Sequence, residues 1–332
     1  MSTASATSCS GISPTRSCIS VRGCGLISRW RTWRRRSRSS PPANGASATP
    51  WRDTPRRRPE GAVTDALRTR VVTAVVLAAV LLAILLWLPP WATVAVMALL
   101  VLAGAWEWSA FLLLRGVALR AAYVLLVAAL LLVAWRIAAS AEWRRLLLGV
   151  AVLWWLIALL WIAFAPRRVS PWSAAAAGVL ALVPAWLAMA WLRVAPPRGA
   201  EWVLFAFVLV WVADIGAFFF GRRFGRVRLA PEVSPGKTWE GVLGGIALSA
   251  LVAIAGSLWF HVPLAAFLPL CLTAVAFSIV GDLTESLLKR FAGLKDSGRV
   301  FPGHGGVMDR IDSLTGAAPV LLLGLTLLGV VR

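Results

Sequence analysis

Histidine occurs only twice in this 332-residue chain, at His261 and His304. Two histidines are too few to build a histidine-based metal centre, so any metal here is expected to be a hard cation held by oxygen. Cysteine is scarce too. Cys9, Cys18 and Cys24 sit near the start and Cys271 in an apolar run, with no metal-type spacing and no inferable disulfide framework. Acidic side chains number 14 against 34 lysines and arginines, a net charge of +20. Charged residues of either sign make up only 14% of the chain, while 59% is hydrophobic and the mean hydropathy is +0.79. A soluble globular domain is far less apolar.

The apolar residues come in continuous runs of about 18 or more, long enough to cross a bilayer as helices. The fold expected is all-α, a polytopic integral membrane protein with about nine transmembrane helices. The candidate spans are 71–88, 92–114, 118–135, 146–165, 172–193, 201–221, 241–260, 264–288 and 313–331. Pro89-Pro90 separates the first two, Pro196-Pro197 lies before the sixth, and Pro263 opens the eighth. Lysines and arginines concentrate in alternate loops, which favours the N-terminus inside and the C-terminus outside. Arg144 and Arg145 sit on the wrong side of that bias. A pI near 11.7 fits basic loops beside anionic headgroups and does not imply a nucleic-acid partner.

Residues 1–62 read as a separate tail, rich in Ser, Arg and Pro, without helix or strand period. A targeting peptide is a second reading, although an apolar core segment is lacking. A third is upstream sequence translated from a misassigned start, with Val63-Thr64-Asp65 as the natural beginning. Residues 63–332 form the membrane domain, its motif-rich half at 201–332.

The scarce polar residues cluster. Glu107 in AWEWSAF reads as a helix-end residue between interfacial tryptophans. Asp214 lies late in the sixth span and Asp282 at the inner end of the eighth. Ser278, Asp282, Glu285 or Ser286, and Lys289 share one helical face, a polar stripe that should look into the protein or a wet cavity. The segment GLKDSGRVFPGHGGVMDRID, 293–312, gathers Asp296, Asp309, Asp312, His304, Lys295, Arg299 and Arg310 among five glycines. The Gly305-Gly306 backbone can receive an anion, Asp309 and Asp312 offer hard oxygen ligands for Mg²⁺, and the lysines and arginines add positive charge. That combination suits phosphoryl or nucleotidyl transfer. Ser234-Pro235-Gly236-Lys237-Thr238 reads as a flexible turn presenting Lys237 and Thr238, without the glycine spacing of a P-loop. Gly244-Gly245 opens the next helix, whose N-terminus is another phosphate candidate.

These residues resemble the phosphatidate cytidylyltransferases, or CDP-diacylglycerol synthases. The likeness rests on Ser286-Leu-Leu-Lys289-Arg290, Lys295-Asp296, Phe301-Pro302, His304-Gly305-Gly306 and Asp309-Arg310-Ile-Asp312. SPGKTWEG at 234–241 and Asp214 through Gly221-Arg222 are similar as well. Phe218 departs from the family's usual tyrosine. The likeness covers roughly 65–332 and is strongest after Asp214.

The resemblance implies a reaction of CTP with phosphatidic acid, giving CDP-diacylglycerol and pyrophosphate. It implies a site facing the cytoplasm in a multi-pass protein of the cell's inner (plasma) membrane. Asp282 and Asp309 would be the metal carboxylates, with Mg²⁺ and a K⁺ ion nearby. His304, Lys289 and Arg310 join them as catalytic candidates. The substrate-binding candidates are Asp214, Arg222, Ser234, Lys237, Thr238, Ser286, Arg290, Lys295, Asp296, Gly305, Gly306 and Asp312. Membrane lipids are the other expected partners, and a homodimer is left open. One alternative is a related CTP-dependent lipid kinase or cytidylyltransferase acting on a polyprenol or archaeal lipid. An ion-coupled transporter, with Asp214 and Asp282 as carriers, is another.

Overall fold

The computed structural model describes residues 60–195, 197–298 and 305–331, with side chains from Val72 onward except Ala74. All belong to the unit that runs from Arg58 to Arg332. The N-terminal tail through Pro59, and with it most of the 1–62 readings, lies outside the described residues. Nine helices are present among them: α1 Glu60–Trp87, α2 Pro90–Trp108, α3 Val117–Ile137, α4 Ala141–Phe164, α5 Pro171–Val194, α6 Gly199–Phe224, α7 Trp239–Phe260, α8 Leu264–Phe291 and α9 Met308–Leu327. The last eight are long and apolar enough to cross a membrane; the described apolar stretch of α1, Val75–Trp87, is shorter. The architecture is the expected all-α, multi-pass membrane protein.

Local chemistry sets the helix limits. Pro90 and Pro171 occupy first-turn positions, where a missing N–H costs nothing. Ser170 and Ser173 close a reciprocal capping box at the start of α5. Thr238 caps α7 by accepting from the Gly241 N–H.

Three boundaries differ from the sequence reading in ways that matter. Helix α9 begins at Met308, so Asp309, Arg310 and Asp312 ride on its first turns and not in a loop. Ser234–Thr238 is not a flexible turn but a strand, β2, paired antiparallel with β1 (Arg228–Ala230), Arg228 opposite Thr238 and Ala230 opposite Ser234. Gly244-Gly245 lies one turn inside α7. A Cβ on Gly245 would stand 2.7 Å from the Ala213 carbonyl oxygen, so these glycines serve the close approach of α6 and α7. They do not form an exposed phosphate-binding terminus.

The interior is layered around α9, which is both the most enclosed of the eight spans and the least apolar. Two apolar clusters fill the bundle. One joins α2–α5 with the inner part of α8, around Trp108, Phe111, Trp155 and Leu288; the other joins α5–α9, around Leu209, Phe267 and Leu321. Arg144, which sat awkwardly against the charge bias, is buried. Its guanidinium donates to the Ala138 carbonyl at 2.9 Å and stacks 4.1 Å from the Trp191 ring centre. It closes the α3–α4 corner and is no loop charge. Arg193 donates to the Leu88 carbonyl at 3.1 Å, at the end of α1.

Candidate active site

Chain order alternates the helix ends, so the C-termini of α2, α6 and α8 and the N-termini of α5, α7 and α9 share one end of the bundle. Every described site candidate from the sequence lies there. Most of them fall into two adjoining groups.

The first group lines a cleft of about 400 Å³ between α6, α7 and α8. Asp214 and Arg222 enter from α6, Gly236, Lys237 and Thr238 from β2 and its edge, and Asp282 from α8. Phe218, Ala217, Val275 and Ile279 give the same cleft an apolar wall. Lys237 forms an ion pair with Asp282. Ser286 stands one turn on, its hydroxyl 3.4 Å from Asp282 Oδ1. Ser313 hydrogen-bonds Asp214, which also lies in the field of Asp282, Lys237 and Arg310. The hairpin is what places Lys237. Lys237 lies in the irregular stretch between the Ala230–Ser234 and Arg228–Thr238 pairs, and the Thr238 cap ends the strand where α7 starts.

The second group is built on the last turn of α8 and the first of α9. Lys289 Nζ donates to Glu285 Oε2 at 2.7 Å and to Asp309 Oδ1 at 2.8 Å. Asp309 Oδ2 accepts from the Gly306 N–H at 2.8 Å and the Ser297 N–H at 3.1 Å. Gly305 has φ +79, a backbone that an L side chain strains to adopt, and a Cβ there would meet the Asp309 carboxylate. Asp312 is buried beside Glu285 in the field of Asp282 and Asp214. Glu285 is wholly buried between Lys289 and Asp312. The polar stripe of α8 therefore does look inward, as its spacing predicts.

The remaining candidates lie apart. Lys295 and Asp296 are exposed. Arg290 points to a different cavity, of about 360 Å³, lined also by Arg167, Glu232 and Phe291. Ser234 does not line the Asp282 cleft. His304, with Arg299, Phe301, Pro302 and Gly303, lies outside the described residues.

Glu107 is the residue that sequence reasoning misread. It is no interfacial helix end: only 5% exposed, it reaches from α2 to the start of α9. Its Oε1 accepts from the Val307 N–H at 3.0 Å. Its Oε2 accepts from the Met308 N–H at 2.8 Å and the Ser297 hydroxyl at 3.0 Å. The neighbouring Trp108 is buried, donating to the Ala174 carbonyl. The one signal in the sequence was an acid inside an apolar span; its partners, some 190 to 201 positions away, carry no local mark.

A family model described as the cytidylyltransferase family matches residues 68–328. The chain belongs to the cytidylyltransferase family. It is similar to a phosphatidate cytidylyltransferase of Pseudomonas aeruginosa, 41% identical over 224 residues, which is 65% of this chain and 81% of the relative. It is also 41% identical to a phosphatidate cytidylyltransferase of Haemophilus influenzae over 53% of this chain and 66% of that one. One from Staphylococcus epidermidis is 45% identical over 37% of this chain and 48% of its own length. As a cytidylyltransferase the protein is a nucleotidyl-transferring enzyme, which sets aside the ion-carrier reading of Asp214 and Asp282.

Proposed function

We propose that this enzyme transfers the cytidylyl group of CTP to phosphatidic acid, releasing pyrophosphate, at the cytoplasmic face of the inner membrane. The observation behind the reading is the cleft itself. A charged floor of Lys237, Asp282 and Asp214 adjoins an apolar wall of Phe218, Val275 and Ile279, and all of these but Lys237, which the β1–β2 hairpin supplies, stand on helices long and apolar enough to cross a membrane. Such a site suits a phosphate whose tails remain in lipid. The names of the relatives point the same way. The basic loops at this end of the bundle support its placement on the cytoplasmic side.

In the proposed reaction a phosphate oxygen of the lipid attacks the α-phosphorus of CTP. The bond to the bridging oxygen breaks in line, and its electron pair leaves with pyrophosphate. A phosphate monoester is largely dianionic near neutral pH, so no strong base is needed. Lys237 and Arg222 hold phosphate oxygens in the cleft. Lys289 and Arg310 offset charge at the second group. Preorganised cations of this kind act on charge that develops in the transition state.

Magnesium, with potassium nearby, belongs to the proposal. The donors are all oxygen, as hard cations require, and the carboxylates of Asp214 and Asp282 line one cleft. Asp282 and Asp309 are the carboxylates that would hold the ion. Bound there it would neutralise phosphate charge.

The test is turnover by purified full-length protein in detergent with labelled CTP, Mg²⁺ and phosphatidic acid, a polyprenyl phosphate replacing the lipid in parallel. CDP-diacylglycerol from the parent, lost in Asp282→Asn, is the expected result. Product from the polyprenyl phosphate alone would overturn the substrate assignment.

A further inference from the structure

Glu107 belongs to none of the roles above, yet it is bonded to the site more heavily than any side chain in the cleft. We propose that Glu107 is a positioning residue for the nucleotidyl transfer, fixing the start of α9 and hence the Asp309 carboxylate. The proposal rests on the CTP-dependent reaction described above.

A helix start leaves backbone N–H groups without intrahelical partners. At α9 two of these, on Val307 and Met308, are taken by a carboxylate from another helix. The Glu107 charge also suits the positive end of the α9 dipole. The same carboxylate accepts from the Ser297 hydroxyl, while the Ser297 N–H donates to Asp309. Gly306 completes the ring, its N–H on Asp309 and its Cα against Glu107 and Ser297. Glu107 and Asp309 thus share Ser297 and hold adjacent backbone N–H groups, Gly306 on Asp309 and Val307 and Met308 on Glu107.

The glycines bear this out. A Cβ on Gly298 or on Gly306 would run into the Glu107 carboxylate, so both positions leave room for it. Asp309 sits one residue beyond the capped Met308, so a shift of the cap moves Asp309 and Lys289 together.

The experiment uses full-length parent, Glu107→Gln and Ser297→Ala in detergent, matched for folded protein by size-exclusion profile and tryptophan fluorescence. Glutamine keeps the shape of Glu107 but turns one acceptor into a donor that faces donors. Glu107→Gln is expected to lower kcat about 100-fold with KM for CTP held within about threefold, since misplacing a reacting group by ~1 Å has that cost. Ser297→Ala, which spares both backbone caps, is expected to lower kcat about tenfold, one charge-assisted hydrogen bond's worth.

A folded Glu107→Gln with parental kcat overturns the proposal, and so does a loss confined to KM. Should Glu107→Gln not fold, Ser297→Ala decides alone, an unchanged kcat overturning it. An inactive parent would instead remove the reaction, and this inference with it. That outcome is distinct from an active parent with an equally active variant.

Discussion

Replacing Lys289 with methionine tests the electrostatic account most directly. The Lys289 side chain is only 13% exposed and its ammonium bridges Glu285 and Asp309 at 2.7 and 2.8 Å. Methionine has nearly the same length and no charge. Two carboxylates would then face each other where water hardly enters. Glu285 is then left between Asp309 and Asp312, both acidic. Removing one member of a buried pair costs about 3–5 kcal/mol. An exposed i,i+4 pair would cost only about 0.3–0.5 kcal/mol. Adding Glu285→Gln to Lys289→Met takes away one stranded charge and should return roughly 1–2 kcal/mol, a usual coupling for residues in contact. The assay is an SDS titration of detergent-purified protein followed by tryptophan fluorescence, for the parent, both single variants and the double. A Lys289→Met variant that loses less than about 1 kcal/mol would refute the reasoning, because the bridge would then behave as a surface pair.

Other outcomes follow from the same geometry. Lys237→Met, which strips the Asp282 cleft of its cation, should lower turnover of CTP about 100-fold or more in a labelled-product assay. Gly245→Ala must open the α6–α7 seam from 2.7 Å toward an ordinary 3.4 Å contact. Its thermal unfolding should show a loss of about 1–3 kcal/mol from overpacking. Arg167→Ala breaks a bidentate pair with Glu232 whose partners are 85% and 54% exposed. Turnover should stay parental and stability change by less than about 1 kcal/mol.

How much of this was legible in the chain varied with the range of the physics involved. Membrane helices were readable because hydropathy is a local sum, and the α8 stripe because Ser278, Glu285 and Lys289 recur at helical spacing. Asp282 and Asp309 stood out as scarce charges in apolar surroundings. The β1–β2 hairpin was missed because Pro235 and Gly236 read as a turn, while strand pairing is settled by a partner segment. Gly244-Gly245 was misassigned for a related reason: glycine marks close approach without saying whether a phosphate or another helix approaches. The role of Glu107 was hidden most deeply, since its meaning lies in donors on the far side of the sequence. Arg290 shows the reverse failure: placed beside Lys289 by sequence, it turns by helical geometry into another cavity.

Helix α9 has a consequence for how the protein is made. It leaves the ribosome after the eight other helices, and of the eight long apolar ones it is the least suited to lipid and the most enclosed. A polar segment entering a bilayer gains by finding its companions at once. In the finished fold the earlier helices enclose it, and the Glu107 carboxylate from α2 holds its first N–H groups. Until that docking the Lys289 bridge has only its Glu285 anchor and the candidate site is incomplete. The Glu107 and Asp309 contacts can therefore form only after the helices that precede α9 have been made.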